Sequence, residues 1–234
     1  MKRMFILACF VAIAACKQPI PVQTAAEPKP NTQPKNIILM IGDGMGLTQI
    51  TAGMYSNNNF LYLEKFPSIG LHKSYSSDNL VTDSAAGATA FACGKKTYNG
   101  AIAVDPDTSA LKTILEEAED RGLATGLVAT CSITHATPAS FIAHAPQRKQ
   151  YEKIATFFLE TEVDYFVGGG KKFFDRRETD DRNLYAELEN KGYEISDYFK
   201  SDFEKVAIDS KKNFGYFTAD EEPLPKAQGR DYLV

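Results

Sequence analysis

The chain has 234 residues, a formal net charge of −4 and a charged fraction of 24%. This length is sufficient for one domain with a sizeable buried core. The acidic balance and the lack of a basic cluster argue against nucleic acid as a partner, because contact with the phosphate backbone requires a positively charged face.

The first residues predict a secretory signal peptide. The stretch MKRMFILACFVAIAAC (1–16) places basic residues before an apolar run that is too short to span a bilayer comfortably, and small residues follow. Residues 13–16 resemble a bacterial lipobox, in which the cysteine is lipidated and becomes the first mature residue. Ordinary cleavage near the same alanines is the alternative. We favour residues 1–15 as the signal peptide and Cys16 as the lipidation site.

The signal is followed by a predicted flexible linker and then by the folded domain. Residues 16–34 are rich in Pro, Gln and Thr and contain almost nothing to bury, which is typical of an extended tether. The folded domain is predicted over residues 35–234. We therefore expect an exported protein, either periplasmic or held at a membrane only through its N-terminal lipid.

Cys93 and Cys131 are the cysteines expected inside the mature domain, because Cys9 leaves with the signal peptide and Cys16 is acylated. An oxidising compartment permits a disulfide between Cys93 and Cys131, and sequence alone does not decide whether it forms. Two buried small apolar residues are the simpler interpretation.

Apolar runs and helical periodicity alternate along the domain. Residues 35–42 (KNIILMIG) form a nearly continuous apolar run that ends in glycine, the pattern of a strand buried on both faces of a parallel sheet. The pattern predicts an α/β fold, a doubly wound, mainly parallel sheet flanked by helices, with ligands at the carboxyl ends of the strands. The other predicted elements are helices over 85–93, 109–122, 137–145, 148–160 and 181–192, and strands over 123–130, 163–170, 193–196, 206–209 and 214–218.

A glycine-rich loop follows the first predicted strand. The sequence GDGMG (42–46) surrounds Asp43 with residues that let the backbone turn sharply and approach a ligand closely. It matches neither the dinucleotide fingerprint nor a P-loop. Asp43 at a strand end is a candidate metal ligand, and an Asx-turn residue in a tight loop is an equally good interpretation.

The polar cluster Thr82–Ser84 precedes a run of small residues that begins a predicted helix. Capping of the first helical turn by an Asp or Ser side chain is the locally favoured interpretation. The alternative is functional, since a helix N-terminus binds anions and Ser84 would face the anion. Ser84 does not lie in a G-x-S-x-G nucleophile elbow.

The chain contains three histidines, which leaves few candidates for a catalytic base and too few for a zinc site rich in imidazole. We interpret His72 and His144 as structural. His135 and Thr137 are two residues apart and are positioned to face one magnesium-sized or water-filled site, although Thr137 also suits a helix cap. Arg148 is a candidate clamp for two phosphate oxygens, and an exposed arginine at a helix start is the commoner role.

Several segments, in this order, resemble the successive motifs of the alkaline phosphatase family. The segments NIILMIGDGMG (36–46) and VTDSAAGATAFACGKKTYNGAIAVD (81–105) carry the strongest similarity. THATPASFIAHAPQR (134–148) follows, and VDYFVGGG (163–170) is the weakest of the four. The resemblance extends from about residue 35 to the end of the chain.

The resemblance implies hydrolysis of phosphate monoesters through a phosphoserine intermediate at a site with two zinc ions and one magnesium ion. Ser84 would be the nucleophile, and Arg148 would hold the non-bridging phosphate oxygens. Asp43 would bridge zinc and magnesium, and Thr137 would ligate magnesium. His135 falls where some members carry aspartate, and it would lie near magnesium and act through water. Homodimers are common in the family.

The sequence departs from the family pattern in its C-terminal part. No histidine follows His144, whereas the family places most of its zinc ligands later in the chain. We therefore expect an incomplete domain that binds zinc poorly and is inactive alone. The alternative is a non-catalytic, truncated phosphatase-like lipoprotein with residual anion binding. A sulfatase or phosphomutase is less favoured, since the sulfatase motif C-x-P-x-R is absent.

Overall fold

A computed structural model describes residues 35–230, and the predicted signal peptide, Cys16 and the predicted linker lie outside this part. The chain divides into two compact units, Met1–Ile41 and Gly42–Val234. The described residues of the first unit, 35–41, contain no helix or strand. Ile38 is 87% exposed. The strand predicted over 35–42 is therefore wrong, because an apolar run becomes a buried strand only where neighbouring strands pair with its backbone and cover its side chains.

The described part of the second unit is an α/β structure whose four strands form one sheet. All neighbouring strands are parallel, in the order β1-β2-β4-β3, and helices flank the sheet. The predicted α/β fold with a parallel sheet is confirmed. The strands are β1 Gly126–Ser132, β2 Tyr165–Gly169, β3 Glu194–Asp197 and β4 Phe214–Phe217. The α-helices are α1 Leu47–Ser56, α2 Ser84–Cys93, α3 Ile114–Asp120, α4 Ala136–Ile142, α5 Tyr151–Glu160, α6 Lys172–Asp175 and α7 Leu184–Asn190, and 3-10 turns cover Tyr62–Lys65, Phe203–Lys205 and Lys226–Gln228.

Aromatic side chains form much of the core between the sheet and the helices. The ring of Phe166 in β2 lies 5.0 Å from that of Phe158 in α5 and 5.5 Å from that of Phe217 in β4. Phe174 of α6 lies 4.7 Å from Phe217. Gly215 pairs with Phe166 across the sheet, and a Cβ at this glycine would come within 2.3 Å of the Phe166 ring. The glycine therefore makes room for the Phe166 ring of the neighbouring strand.

Capping explains why α3 is shorter than the helix predicted over 109–122. Thr113 is the N-cap, and its hydroxyl oxygen accepts the backbone N–H of Glu116 at 3.1 Å. The Glu116 carboxylate accepts the backbone N–H of Thr113 at 2.7 Å, which completes a capping box. The helix therefore begins at Ile114. Its predicted stop is confirmed, because Gly122 has a φ of +66°.

Helix α4 begins earlier than predicted. His135 occupies the N-cap position, so Thr137 is the second helical residue and not the cap. Pro138 follows in the first turn, where the N–H that proline lacks would have had no partner within the helix. Residues 206–209, predicted as a strand, are not in one, and helices α1 and α6 were not predicted. The remaining elements are confirmed with boundaries shifted by up to three residues.

The polypeptide between residues 42 and 75 packs little. None of its side chains is buried, and Ile69 and Leu71 are 94% and 101% exposed.

Within residues 35–230, no helix combines the length and the apolar character needed to cross a bilayer.

Candidate active site

The Ser84 hydroxyl points away from its own helix and towards a carboxylate. Asp83 is the N-cap of α2, and its Oδ1 accepts the backbone N–H of Ala86 at 2.9 Å. Ser84 Oγ donates to Oδ1 of Asp43 at 3.1 Å. The two interpretations of the polar cluster therefore apply to different residues: Asp83 caps the helix, and the Ser84 hydroxyl remains available at the helix N-terminus.

Asp43 joins three separate segments through its side chain. It lies in a turn closed by the backbone bond from Met45 N–H to the Gly42 carbonyl, at 3.1 Å, and the following glycine has a φ of +66°. Its Oδ1 accepts the Ser84 hydroxyl, and its Oδ2 accepts the Thr137 hydroxyl at 3.2 Å. The carboxylate thus reaches across to α2 and to the first turn of α4. The structure brings together Asp43, Ser84 and Thr137.

Arg148 is half-buried and held by three contacts. Its Nη1 donates to Asp83 Oδ2 at 3.1 Å, and its Nη2 lies 3.2 Å from His135 Nε2. Its backbone N–H donates to the Gly100 carbonyl at 2.7 Å. Helix α5 begins only at Tyr151, so the role of an exposed arginine at a helix start does not apply. The guanidinium is fixed beside the capping residue of α2, where the helix dipole also favours an anion.

His135 contacts the arginine and not the carboxylate of Asp43. Because a guanidinium can only donate hydrogen bonds, His135 Nε2 is the acceptor and the ring proton is placed on Nδ1. In the structure as described, His135 Nδ1 is buried and has no hydrogen-bond partner. His135 and Thr137, predicted to face one site, have different partners: Arg148 for the histidine and Asp43 for the threonine.

The other two histidines make the kinds of contact expected of structural residues. One ring nitrogen of His144 lies 2.9 Å from the Ala103 carbonyl oxygen, and the other lies 2.9 Å from Glu116 Oε1. The His72 ring packs edge to face against Phe91, with 5.7 Å between the ring centroids.

Cys93 and Cys131 are both free and half-buried, so the disulfide that the sequence left open is not formed. Burial raises the pKa of the Cys93 thiol to about 11, and the Glu116 carboxylate adds to this effect. Burial also raises the pKa of the Cys131 thiol to about 12, with the Glu222 carboxylate as the next cause. Neither thiol is therefore a reactive thiolate near neutral pH.

The donor atoms at the site suit magnesium better than zinc. Asp43, Ser84 and Thr137 present one carboxylate and two hydroxyls, and magnesium is bound by oxygen donors, often one or two carboxylates with several waters. Catalytic zinc usually takes three protein ligands from His, Cys, Asp or Glu. No group of three such side chains that could hold a metal ion occurs between residues 35 and 230. The described residues thus fit a magnesium ion and do not by themselves fit zinc.

Two further contacts come from residues that the sequence analysis did not single out. Asn99 Oδ1 accepts the backbone N–H of Asp83 at 2.8 Å. Glu222 Oε2 accepts the backbone N–H of Ser132, at the carboxyl end of β1, at 2.9 Å. The pair Asn-Gly at 99–100 is a recognisable turn signal. No local signal identifies Glu222, which contacts a residue 90 positions earlier.

Comparison with known proteins gives a consistent set of relatives. A sequence profile of the alkaline phosphatase family matches residues 34–220. The chain is 44% identical over 194 residues to alkaline phosphatase 3 of Bacillus subtilis (strain 168), an alignment that covers 76% of this chain and 41% of that protein. It is 35% identical over 231 residues to the alkaline phosphatase of Escherichia coli (strain K12), covering 82% of this chain and 49% of that protein.

Solved structures agree with these relatives. The alkaline phosphatase from the Antarctic bacterium TAB5 matches with a TM-score of 0.80 at 43% identity, covering 87% of this chain and 59% of that chain. A variant of the TAB5 enzyme with a histidine replaced by glutamate has magnesium bound in its M3 site. The chain spans between two fifths and one half of the curated relatives described above. On these matches, the chain belongs to the alkaline phosphatase family.

Proposed function

We propose that this chain carries the nucleophile and the phosphate-binding residues of an alkaline phosphatase that hydrolyses phosphate monoesters. One observation supports the proposal most directly: the Ser84 hydroxyl, at the N-terminus of α2, donates to Asp43 across 41 residues of sequence. A hydroxyl aimed at a carboxylate, beside a fixed guanidinium and a helix N-terminus, is suited to attack an anionic phosphoryl group.

The proposed reaction has two displacements at phosphorus. Arg148 and the free N–H groups of α2 hold the phosphoryl oxygens, which positions the group and neutralises its charge. Ser84 Oγ then forms a bond to phosphorus while the ester P–O bond breaks. The serine proton is released to solvent, and the leaving alcohol takes up a proton from water. A water molecule next attacks the phosphoserine, which releases inorganic phosphate and restores the serine hydroxyl.

We further propose that Asp43 and Thr137 hold a magnesium ion, with His135 acting near it through water. When bound, this ion would supply positive charge against the phosphoryl group. Asp43 also orients the Ser84 hydroxyl directly, at 3.1 Å. Family membership implies zinc as well, and Asp43 is the zinc ligand proposed for this chain, but the described residues do not complete a zinc site.

The chain alone is proposed to bind phosphate-like anions without appreciable turnover. Support comes from comparing the groups suited to bind an anion with the groups suited to bind zinc. Arg148 contacts Asp83, the capping residue of α2, so its guanidinium lies beside the helix N-terminus, whereas residues 35–230 hold no group of three ligands suited to zinc. This proposal corresponds to the alternative function predicted from the sequence, a phosphatase-like protein with anion binding only.

The test combines a binding and a turnover measurement on the mature chain, residues 16–234. Orthovanadate binding is titrated with magnesium present, and p-nitrophenyl phosphate turnover is followed at alkaline pH with zinc and magnesium. We expect vanadate to bind to the wild type, Ser84→Ala to weaken that binding, and turnover to stay at background. Ser56→Ala is the control, since this serine bonds only within α1 among the contacts described.

Three outcomes would contradict parts of this proposal. Turnover that Ser84→Ala abolishes would show the nucleophile to be right and the inactivity of the chain alone to be wrong. Turnover that survives Ser84→Ala would exclude Ser84 as nucleophile. Failure of the wild type to bind vanadate would exclude a preformed anion site in this chain.

A further inference from the structure

A tight turn at residues 98–101 lies beside the site without contributing a group to it. The Ala101 N–H donates to the Tyr98 carbonyl at 3.2 Å, which closes the turn around Asn99 and Gly100. Gly100 has a φ of +95°, a value that favours glycine at this position of a turn. The sequence of the turn, Tyr-Asn-Gly-Ala, lies within the second family-like segment and is not explained by the roles of Ser84 or Arg148.

The Asn99 side chain fixes the backbone that leads into α2. Its Oδ1 accepts the N–H of Asp83 at 2.8 Å, and its Nδ2 donates to the Val81 carbonyl at 2.9 Å. The oxygen and the nitrogen of the Asn99 side-chain amide therefore both bond to the backbone of residues 81–83, which directly precede Ser84. Asp83 is held in an extended conformation, with φ −92° and ψ 176°. The direction in which the chain enters the helix, and with it the position of Ser84, depends on these two bonds.

The same turn holds the backbone of Arg148. The Gly100 carbonyl accepts the Arg148 N–H at 2.7 Å. The turn is itself anchored, because the Asn99 N–H donates to Asp78 Oδ1 at 3.2 Å, and the Ser76 hydroxyl donates to the same oxygen at 2.7 Å. Asn99 and Gly100 therefore connect the start of the nucleophile helix to the arginine through adjacent residues.

We propose that Asn99 is a positioning residue, which sets the distance between Ser84 and Arg148 by fixing Asp83 with its side chain while Gly100 fixes Arg148. The inference rests on the proposed function for its consequence, because the two positioned groups are the proposed nucleophile and phosphate clamp. A geometric error of about 1 Å between such groups is sufficient to cost a large part of their effect.

The experiment compares Asn99→Ala and Asn99→Leu in the mature chain. Alanine removes both side-chain bonds, and leucine removes them while keeping a similar volume. Hydrogen exchange at the Asp83 amide is measured by NMR, and orthovanadate affinity is measured by titration. Asn183→Ala is the matched control, since Asn183 caps α7 by accepting the Ala186 N–H at 3.0 Å and touches none of the site residues in the contacts described.

We expect both Asn99 variants to exchange the Asp83 amide at least about tenfold faster and to bind vanadate about tenfold more weakly than the wild type. Exchange in β2 and β4 should be unchanged, and the Asn183 variant should retain wild-type vanadate affinity. Unchanged Asp83 exchange and unchanged affinity would overturn the inference. Global unfolding of both Asn99 variants, with a folded Asn183 variant, would also overturn it by showing a general structural role.

The exchange measurement separates this inference from the proposed function. If the wild type fails to bind vanadate, the proposed function is contradicted, whereas the exchange rate at Asp83 still decides whether Asn99 holds the backbone before Ser84. If the wild type binds vanadate and the Asn99 variants show the same Asp83 exchange rate and the same vanadate affinity as the wild type, the proposed function stands and the positioning role is wrong.

Discussion

Arg148 has contacts that only a guanidinium can make together. Its two terminal nitrogens reach Asp83 and His135 at 3.1 and 3.2 Å, in directions set by the planar group. Lysine carries the same charge on a single nitrogen and cannot reproduce this arrangement. We expect Arg148→Lys to weaken orthovanadate binding by about tenfold to a hundredfold, the range for loss of one or two hydrogen bonds to a charged group. Titration of the chain over residues 16–234 with magnesium present measures the change.

Arg182→Lys is the control for this substitution. Arg182 forms an ion pair with Glu187, and both side chains are well exposed, at 46% and 37%. Exposed pairs of this kind contribute little to stability, so the control should leave vanadate binding and the melting temperature unchanged. Wild-type affinity in Arg148→Lys would show that only the charge of Arg148 matters and not its orientation.

Residue identities were easier to predict than residue contacts. Asp43, Ser84 and Thr137 were singled out as candidates from local motifs, and the Asp43 carboxylate accepts a hydrogen bond from each of the two hydroxyls. Their roles at a catalytic site stay a prediction. The partners of Arg148 were not predicted, because Asp83 lies 65 positions before it. The sequence around a capping aspartate does not indicate that its second carboxylate oxygen accepts a hydrogen bond from an arginine. Such contacts depend on the tertiary fold, and sequence periodicity does not contain them.

At the scale of secondary-structure elements, Gly215 shows how one missing side chain determines the packing of two strands. A Cβ on this residue would lie 2.3 Å from Phe166 Cζ and 2.7 Å from Ile195 Cδ1. Strand β4 pairs with β2 on one side and β3 on the other, so its backbone has little freedom to move away. We expect Gly215→Ala to lower the free energy of unfolding by about 1–3 kcal/mol, the usual cost of overpacking. Urea denaturation followed by circular dichroism measures this change.

Gly70→Ala provides the comparison for Gly215→Ala. A Cβ at Gly70 would meet nothing within 4 Å, and its φ is not in the left-handed region. The same chemical change should therefore leave the free energy of unfolding unchanged or slightly higher, because alanine restricts the unfolded chain more than glycine does. Equal effects at the two positions would show that the fit of Phe166 against Gly215 does not limit stability.

The boundaries of the elements depended on capping side chains, which a prediction from apolar spacing does not take into account. The capping box of Thr113 and Glu116 moved the start of α3 to Ile114, although apolar spacing alone extended the helix to residue 109. The strands β2, β3 and β4 were predicted within two residues, since they are buried runs bounded by glycine or polar residues. The run at 35–42 had the same appearance, but burial requires neighbours, and a local pattern cannot supply them.

At the scale of the whole molecule, the second unit begins with a segment rich in exposed apolar residues. Between residues 42 and 75, no side chain is buried. Large exposed apolar surfaces on a protein mark sites of association. The second unit therefore presents an exposed apolar segment that favours association.

We expect the chain over residues 16–234 to bind the dye ANS and to self-associate as its concentration rises, measured by fluorescence and sedimentation velocity. The double substitution Ile69→Ser and Leu71→Ser should reduce both effects without lowering the free energy of unfolding, because these side chains are 94% and 101% exposed and contribute no burial. Ile154→Ser is the contrasting control, since Ile154 is 0% exposed and its replacement should destabilise the fold. A chain that remains monomeric without ANS binding would show that this segment is covered in solution.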